Sequence, residues 1–244
     1  MRNPRIFQQS QFTLNETIPL SDEAFGHVVR VLRLKTGDTI TLFNGEEAFQ
    51  YTATLCNVSK KSADVTIISQ EENNSESPLN IHLGQGISRG DRMDFTLQKS
   101  VELGVNTITP LFTERCGVKL NAERLEKKRQ QWQKIVISAC EQSGRASVPI
   151  VAEPMLLADW LKQETTALKI NLHPKAQHSI MSLPVENTRV RLLIGPEGGL
   201  SDEEITQANG SDFHDVLLGP RVLRTETAAL TAITALQCRF GDLH

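Results

Sequence analysis

The chain has 244 residues, 39% of them apolar and 23% charged, with a formal net charge of −3 at pH 7. That length holds a small domain followed by a larger one, and the composition is that of a globular protein, not a disordered chain or a polycation. No apolar run approaches the roughly 20 residues of a membrane helix, and the opening MRNPRIFQQSQF lacks the apolar segment of a secretory signal. The four cysteines form no CxxC pair and the histidines show no metal spacing, so reduced thiols, a cytoplasmic location and no metal site are expected.

The first predicted element is a short helix. Ser21 is its N-cap, Asp22 and Glu23 lie in its first turn, and Phe25, Val28, Val29 and Leu32 form its apolar face. Alternating runs follow, DTITLF up to Asn44-Gly45, then FQYTATL, then ADVTIIS. Period-2 alternation broken by such turns predicts antiparallel hairpins and a small β-barrel. Arg2, Arg5, Arg30, Arg33 and Lys35 belong to this part and are candidates for phosphate contacts, although arginines at a barrel mouth also serve in packing.

The polar stretch Ser69–Pro78, SQEENNSESP, reads as a linker. The expected division is a barrel over 1–70, a linker over 71–78 and an α/β domain over 79–244. In that domain LNIHLGQGI is a strand, DRMDFTLQKSVELG an amphipathic helix ending at Gly104, and VNTITPLF a strand. A long helix from about Asn121 to Ser143 comes next, then VPIVAEP, a short helix around Asp159–Gln163, strands LKINL, VRLLIG and DVLLG, and a last helix within ETAALTAITALQCRF. Repeated βα alternation with continuous apolar strands predicts a mostly parallel sheet with helices on both faces. Between Lys119 and Arg145 seven Lys/Arg stand against three Asp/Glu, which suits either nucleic-acid docking, with Arg115, Lys119 and Arg145 as candidates, or a solvated helix face.

Ligands of an open parallel sheet bind beyond the carboxyl ends of its strands. Three successive strands here end in turns of special composition: Leu172-His173-Pro174, Ile194-Gly195-Pro196-Glu197-Gly198-Gly199, and Leu218-Gly219-Pro220 running on to Leu223 and Arg224. Proline stiffens each turn, and glycine leaves backbone groups uncovered for close approach. A phosphate is disfavoured there. Ser201 and Glu204 form a capping box that already satisfies the helix N-terminus, and two like charges about 4 Å apart repel by roughly 4 kcal/mol at an effective dielectric of ~20. Glu197 therefore favours a cation or sugar hydroxyls. With neither a Walker A loop nor GxGxxG present, the turns suit an adenosine-bearing cation without phosphates, and S-adenosyl-L-methionine meets that description. Each turn alone is compatible with a plain tight turn.

IGPEGGLSDEE, LGPRVLRTETA, ERCGVKL and ACEQSGR, in this order and with the opening RNPRIF and HVVRVLRLKTGD, resemble the RsmE family, which methylates N3 of a uridine in 16S ribosomal RNA. The resemblance spans the whole chain. It implies a PUA-like barrel followed by a SPOUT-type methyltransferase domain with a C-terminal trefoil knot, which strand-order rules would otherwise argue against. It also implies a homodimer, the small ribosomal subunit as partner, and a cofactor held by the three turns, largely through backbone groups. The small residues Ala228, Ala229, Ala232 and Ala235 of the last helix permit close packing, at an interface or inside one subunit.

Methylating a ring nitrogen needs no cysteine nucleophile, so Cys116 and Cys140 read as packing residues. The N3 proton must leave, and cationic donors stabilise the charge that spreads onto the flanking carbonyls. Arg224 is the first choice for that donor, with phosphate docking or a pair with Glu226 as alternatives. Glu141 is the leading carboxylate for the base, with Glu102, Glu114 and Glu226 also open and His173 as a possible helper. A non-catalytic RNA-binding or assembly module is the competing function, and a nucleotide-dependent hydrolase or dehydrogenase a third.

Overall fold

The structure is a computed structural model that describes residues 3–117, 122–183 and 188–243. They group into two compact units, one formed by the chain up to Glu76 together with Cys140–Val148, the other by Ser77–Ala139 and the chain from Pro149 onward. The division falls inside the polar stretch. The inclusion of Cys140–Val148 in the first unit is not visible in composition.

The first unit holds strands β1 (Arg5–Phe7) and β2 (Thr17–Pro19), helix α1 (Asp22–Phe25), and strands β3 (Thr39–Phe43), β4 (Phe49–Cys56) and β5 (Asp64–Glu72). They make a curled five-stranded sheet in the order β1-β3-β4-β5-β2. Its hairpins are antiparallel as expected, but β1 pairs with β3 in parallel, a pairing between distant segments that local alternation does not encode. β5 continues through Glu72 into the presumed linker because its polar end still pairs with β4, as far as Phe49 opposite Glu72. Those residues face water, so the pairing needs no apolar signature. Ser21 caps α1 through its side chain, yet the helix widens into a π-helical turn over Gly26–Val31. The changed period leaves Leu32 38% exposed while Phe25 and Val28 stay in the core.

The second unit comprises β6 (Asn80–Gly86), α2 (Asp91–Glu102), β7 (Thr107–Phe112), α3 (Ala122–Ser143, its last residues grouped with the first unit), β8 (Ile150–Val151) and β9 (Met155–Leu156). It continues through α4 (Leu157–Leu161), β10 (Leu168–Leu172), β11 (His178–Ser179), β12 (Arg189–Ile194), α5 (Asp202–Asn209), β13 (His214–Leu217) and α6 (Thr225–Phe240). Its eight-stranded sheet runs β11-β13-β10-β12-β6-β7-β8, with β9 beside β7, and every pairing is parallel. Val190–Ile194 are all buried, as a strand covered on both faces requires. Leu193 packs with Trp160, Leu161, Ala208 and Phe213 under α4 and α5, and α2 packs with α6. Inside this core the guanidinium of Arg191 lies 3.9 Å over the Trp160 ring. Burial, helped by the Arg191 charge, pushes His82 down to about 4.

Gln237 on α6 is fully buried; it accepts from Ser77 Oγ at 2.6 Å and donates to the Leu103 carbonyl at 3.0 Å. The last helix is thereby tied to the start of the unit and to the end of α2.

Gly86 closes β6 where the β12 turn crosses it: a Cβ there would lie 2.5 Å from Pro196 N and 2.9 Å from Gly195 C. Both contacts are backbone and cannot rotate away. Gly86→Ala is expected to cost about 1–3 kcal/mol in urea-unfolding stability by overpacking; an unchanged midpoint would show that the two turns do not approach this closely.

Candidate functional site

Because β10 neighbours both β12 and β13 in one parallel sheet, their carboxyl ends lie at one edge. The turns after them line a cleft of about 600 Å³ in the second unit, a size typical of small-molecule sites. Leu172, His173, Pro174, Ile194, Gly195, Pro196, Glu197, Gly198, Gly199, Leu218, Gly219 and Leu223 are all in its wall, as is Arg224.

The β12 turn is closed by Gly199 N–H donating to the Pro196 carbonyl at 2.8 Å, with Gly199 at φ +68°. That backbone conformation is nearly free only to glycine. The capping box forms as expected: Ser201 Oγ accepts from Glu204 N, and Glu204 Oε2 accepts from Ser201 N at 2.9 Å. Glu204 Oε1 also accepts from Glu114 N at 2.8 Å, so both oxygens of this buried carboxylate are engaged and the loop after β7 is pinned beside the turn.

Glu197 is not the isolated negative charge that the sequence suggested. Its carboxylate accepts from Arg89 N at 3.0 Å and pairs with Arg92 Nη1 at 3.3 Å. Burial acts to raise its pKa, but donation from its own backbone and from Arg89 N, together with Arg92, holds it below the usual carboxylate value. The pairing offsets most of its repulsion toward an anion, so Glu197 shapes the turn more than it sets the sign of the cleft. Arg115 Nη1 likewise serves the turn, donating to the carbonyls of Gly198 (3.1 Å) and Leu200 (3.2 Å).

The third turn is locked by Thr225, the first residue of α6. Its hydroxyl donates to the Gly195 carbonyl at 2.6 Å and accepts from Gln85 Nε2 at 3.0 Å. Both side chains are buried. Beside the first turn, Asp215 of β13 accepts from Asn171 Nδ2 at 2.7 Å and Asn209 Nδ2 at 3.1 Å and lies 3.9 Å from His173 Nδ1. His173 is thus held at the turn.

Of the four cleft arginines, Arg92 and Arg115 are engaged with the turn. The side chains of Arg221 and Arg224 are exposed and make no hydrogen bond or ion pair among the described residues. Thr225, Gln85, Arg92 and Arg221 were not singled out from the sequence. A polar Gln85 inside the apolar run LNIHLGQGI was the available signal for one of them, and Arg221 sits three residues before Arg224.

Other expected site residues are placed elsewhere. Arg5 and Arg145 are corrected from phosphate contacts to interior residues, 8% and 4% exposed. Arg145 makes a two-point pair with Glu76 at 3.0 and 2.5 Å, and Arg5 donates to the Arg145 carbonyl at 3.0 Å and lies 4.9 Å over the Phe43 ring. Guanidinium groups engaged in this way have no surface to offer RNA. Glu141 belongs to the first unit, whereas the cleft is lined by the second; its Oε1 accepts from Phe7 N at 3.0 Å, and burial raises its pKa. It is a structural acceptor there. Arg30 and Arg33 are exposed, Arg30 5.2 Å over the Phe25 ring. Arg2 and Lys119 lie outside the described residues. In the basic helix, Lys127, Lys128 and Arg129 each have a carboxylate partner, which favours the solvated-face alternative. Ala229 and Ala232 are fully buried within the one chain. Cys140 is buried and its thiol is pushed up to about 12, chiefly by burial, as befits a packing residue. Among the described residues no group of His, Cys, Asp and Glu could hold a metal ion, and no helix is long and apolar enough to cross a membrane.

Taken together, the cleft offers uncovered backbone groups, an apolar wall from Leu172, Ile194, Leu218 and Leu223, and carboxylates at Glu197, Asp202 and Glu226. With Glu197 countered by Arg92, that set of groups fits a nucleoside-sized ligand.

Comparison with known proteins agrees with this geometry. Residues 75–237 match the model of an RNA methyltransferase domain, and residues 20–68 that of an RNA methyltransferase PUA domain. A ribosomal RNA small subunit methyltransferase E from Buchnera aphidicola is 42% identical over 243 residues, covering 99% of this chain and 98% of its own. A solved methyltransferase from Legionella pneumophila in complex with S-adenosylmethionine is 48% identical with a TM-score of 0.96, covering both chains completely. A ribosomal RNA small subunit methyltransferase E from Neisseria gonorrhoeae, bound to S-adenosylmethionine, is 40% identical with a TM-score of 0.93, again over both whole chains.

Thr225→Val keeps the shape of the side chain and removes both hydrogen bonds. It is expected to lower stability by roughly 1–3 kcal/mol for each buried group left without a partner, and to weaken S-adenosylhomocysteine binding in calorimetric titration. Wild-type affinity in a destabilised variant would show that the relay supports the fold but not the cleft.

Proposed function

The chain belongs to the family of ribosomal RNA small subunit methyltransferase E proteins, and on that premise we propose that it transfers a methyl group from S-adenosylmethionine to N3 of a uridine in 16S RNA of the small ribosomal subunit. The observation that carries this reading is the cleft itself, where three proline-containing turns, two of them with glycine, meet beside two unengaged guanidinium groups.

When bound, S-adenosylmethionine supplies an electrophilic methyl group on a sulfonium sulfur. The backbone of Gly195–Gly199 and of Leu218 and Gly219 would hold it, with Leu172, Ile194 and Leu223 against its apolar parts. The remaining work falls to the chain. Arg224 supplies charge to the uracil carbonyls as the N3 proton leaves, stabilising the anion as it forms. Arg221 beside it suits a backbone phosphate. Thr225 keeps the start of α6, and with it Arg224, in a fixed position. Arg30 and Arg33 of the PUA-like unit provide exposed cations for RNA docking.

The reading includes a homodimer, supported by the apolar side chain of Val222, 85% exposed beside the cleft. It includes a C-terminal knot, supported by the hydrogen bonds that lock the start of α6 to β6 and to the β12 turn. It places the protein in the cytoplasm, supported by the ribosomal substrate and by cysteines that are all free.

Small subunits from cells lacking this protein, incubated with it and S-adenosylmethionine, are expected to yield N3-methyluridine on nucleoside mass spectrometry. Arg224→Ala is expected to lower turnover about 100-fold or more while S-adenosylhomocysteine affinity stays within about threefold. A methyl group on another atom would overturn the assigned position, and near-normal turnover in the variant would remove Arg224 from the reaction.

A further inference from the structure

The proposed reaction needs an acceptor for the N3 proton, and the carboxylates of the second unit can be sorted by what they already hold. Glu204 has both oxygens occupied by backbone donors. Glu197 is engaged by Arg89 N and Arg92. Asp202 stands exposed on the first turn of α5, where water satisfies it. Glu226 differs from all three: it lines the cleft, and its Oε2 is buried with no hydrogen-bond partner among the described residues. A buried carboxylate oxygen without a donor is costly, and such a cost is tolerated where a ligand supplies the missing donor.

The surroundings indicate which donor. Glu226 follows Thr225 directly, so the relay that fixes the helix start also fixes its backbone. Arg224, two residues earlier, is in the same wall and unengaged. An unpartnered carboxylate oxygen and an unengaged guanidinium in one cleft wall supply an acceptor and a donor. The Watson–Crick edge of uracil presents the complement, one N–H donor at N3 between two carbonyl acceptors. Cytosine presents no donor at N3.

We propose that Glu226 is a catalytic residue that accepts the N3 proton of the target uridine and selects uracil over cytosine. This inference rests on the function proposed above. The proton passes from N3 to the Glu226 carboxylate, and the N3 electron pair forms the new bond to the methyl carbon. The carbon–sulfur bond breaks with its pair retained on sulfur, giving a neutral thioether, and Glu226 then releases its proton to solvent. Charge and atoms balance without any further reactant.

The test uses the full-length chain with small subunits from cells that lack it. Glu226→Gln keeps the size of the side chain and removes its basicity. Single-turnover methylation is expected to fall about 100-fold or more, and to become steeper in pH as hydroxide takes over the deprotonation. S-adenosylhomocysteine affinity by calorimetry should stay within about twofold, which also reports that the variant is folded. Glu226→Asp, which retains the carboxylate, should recover part of the rate. A Glu226→Gln rate within threefold of wild type would overturn the proposal. So would a loss of S-adenosylhomocysteine affinity matching the loss of rate, because the open oxygen would then belong to the cofactor. If instead the wild-type protein places its methyl group elsewhere than uridine N3, the functional reading fails first, and the nucleoside analysis distinguishes that case.

Discussion

A single threonine hydroxyl joins three segments that are far apart in sequence. Thr225 donates to the carbonyl at the end of β12 and accepts from Gln85 at the end of β6, which uses its one proton and one of its lone pairs. Each bond is worth only about 1 kcal/mol net, but the Thr225 and Gln85 side chains are buried, and leaving either unsatisfied costs more than making the bond gains. The start of α6 is therefore confined to one place, and the turn between β13 and α6 must close over the β12 turn. The cleft walls follow from that closure. So do the positions of Arg224 and Glu226 on either side of the threonine.

The charges around the cleft divide into two sets. Arg92 and Arg115 are engaged by the β12 turn through the Glu197 carboxylate and the Gly198 and Leu200 carbonyls. They hold the backbone open where glycines alone would leave it floppy. Arg221 and Arg224 have no such engagement, and their charge remains available to a substrate. A nearly neutral protein can attract a polyanion in this way, because cations left unpaired in one place carry a local field and paired cations elsewhere contribute little. The arginines Arg5 and Arg145 show the converse: two strong charges sequestered in the first unit, where they brace the Cys140–Val148 segment against Glu76.

What could be read from the sequence was local chemistry. The Ser201–Glu204 box, the Ser21 cap and the alternation of parallel strands and helices depend on neighbours within a few residues, and the structure shows them as expected. The three turns were legible because glycine and proline constrain the backbone wherever they stand. What escaped was pairing at long range. Nothing near Glu197 announces Arg92, which is 105 residues away, and nothing near Arg145 announces Glu76. The parallel β1–β3 pair and the π-helical turn were hidden for a related reason, since partner identity and a one-residue change of period leave no mark on hydrophobic alternation.

The three turns act as one binding element if they respond together to a ligand, and hydrogen–deuterium exchange of the full-length protein with and without S-adenosylhomocysteine tests this most directly. Simultaneous protection of residues 172–174, 195–199 and 218–223, with little change in the first unit, is the predicted result. Protection confined to one turn, or centred outside all three, would contradict it.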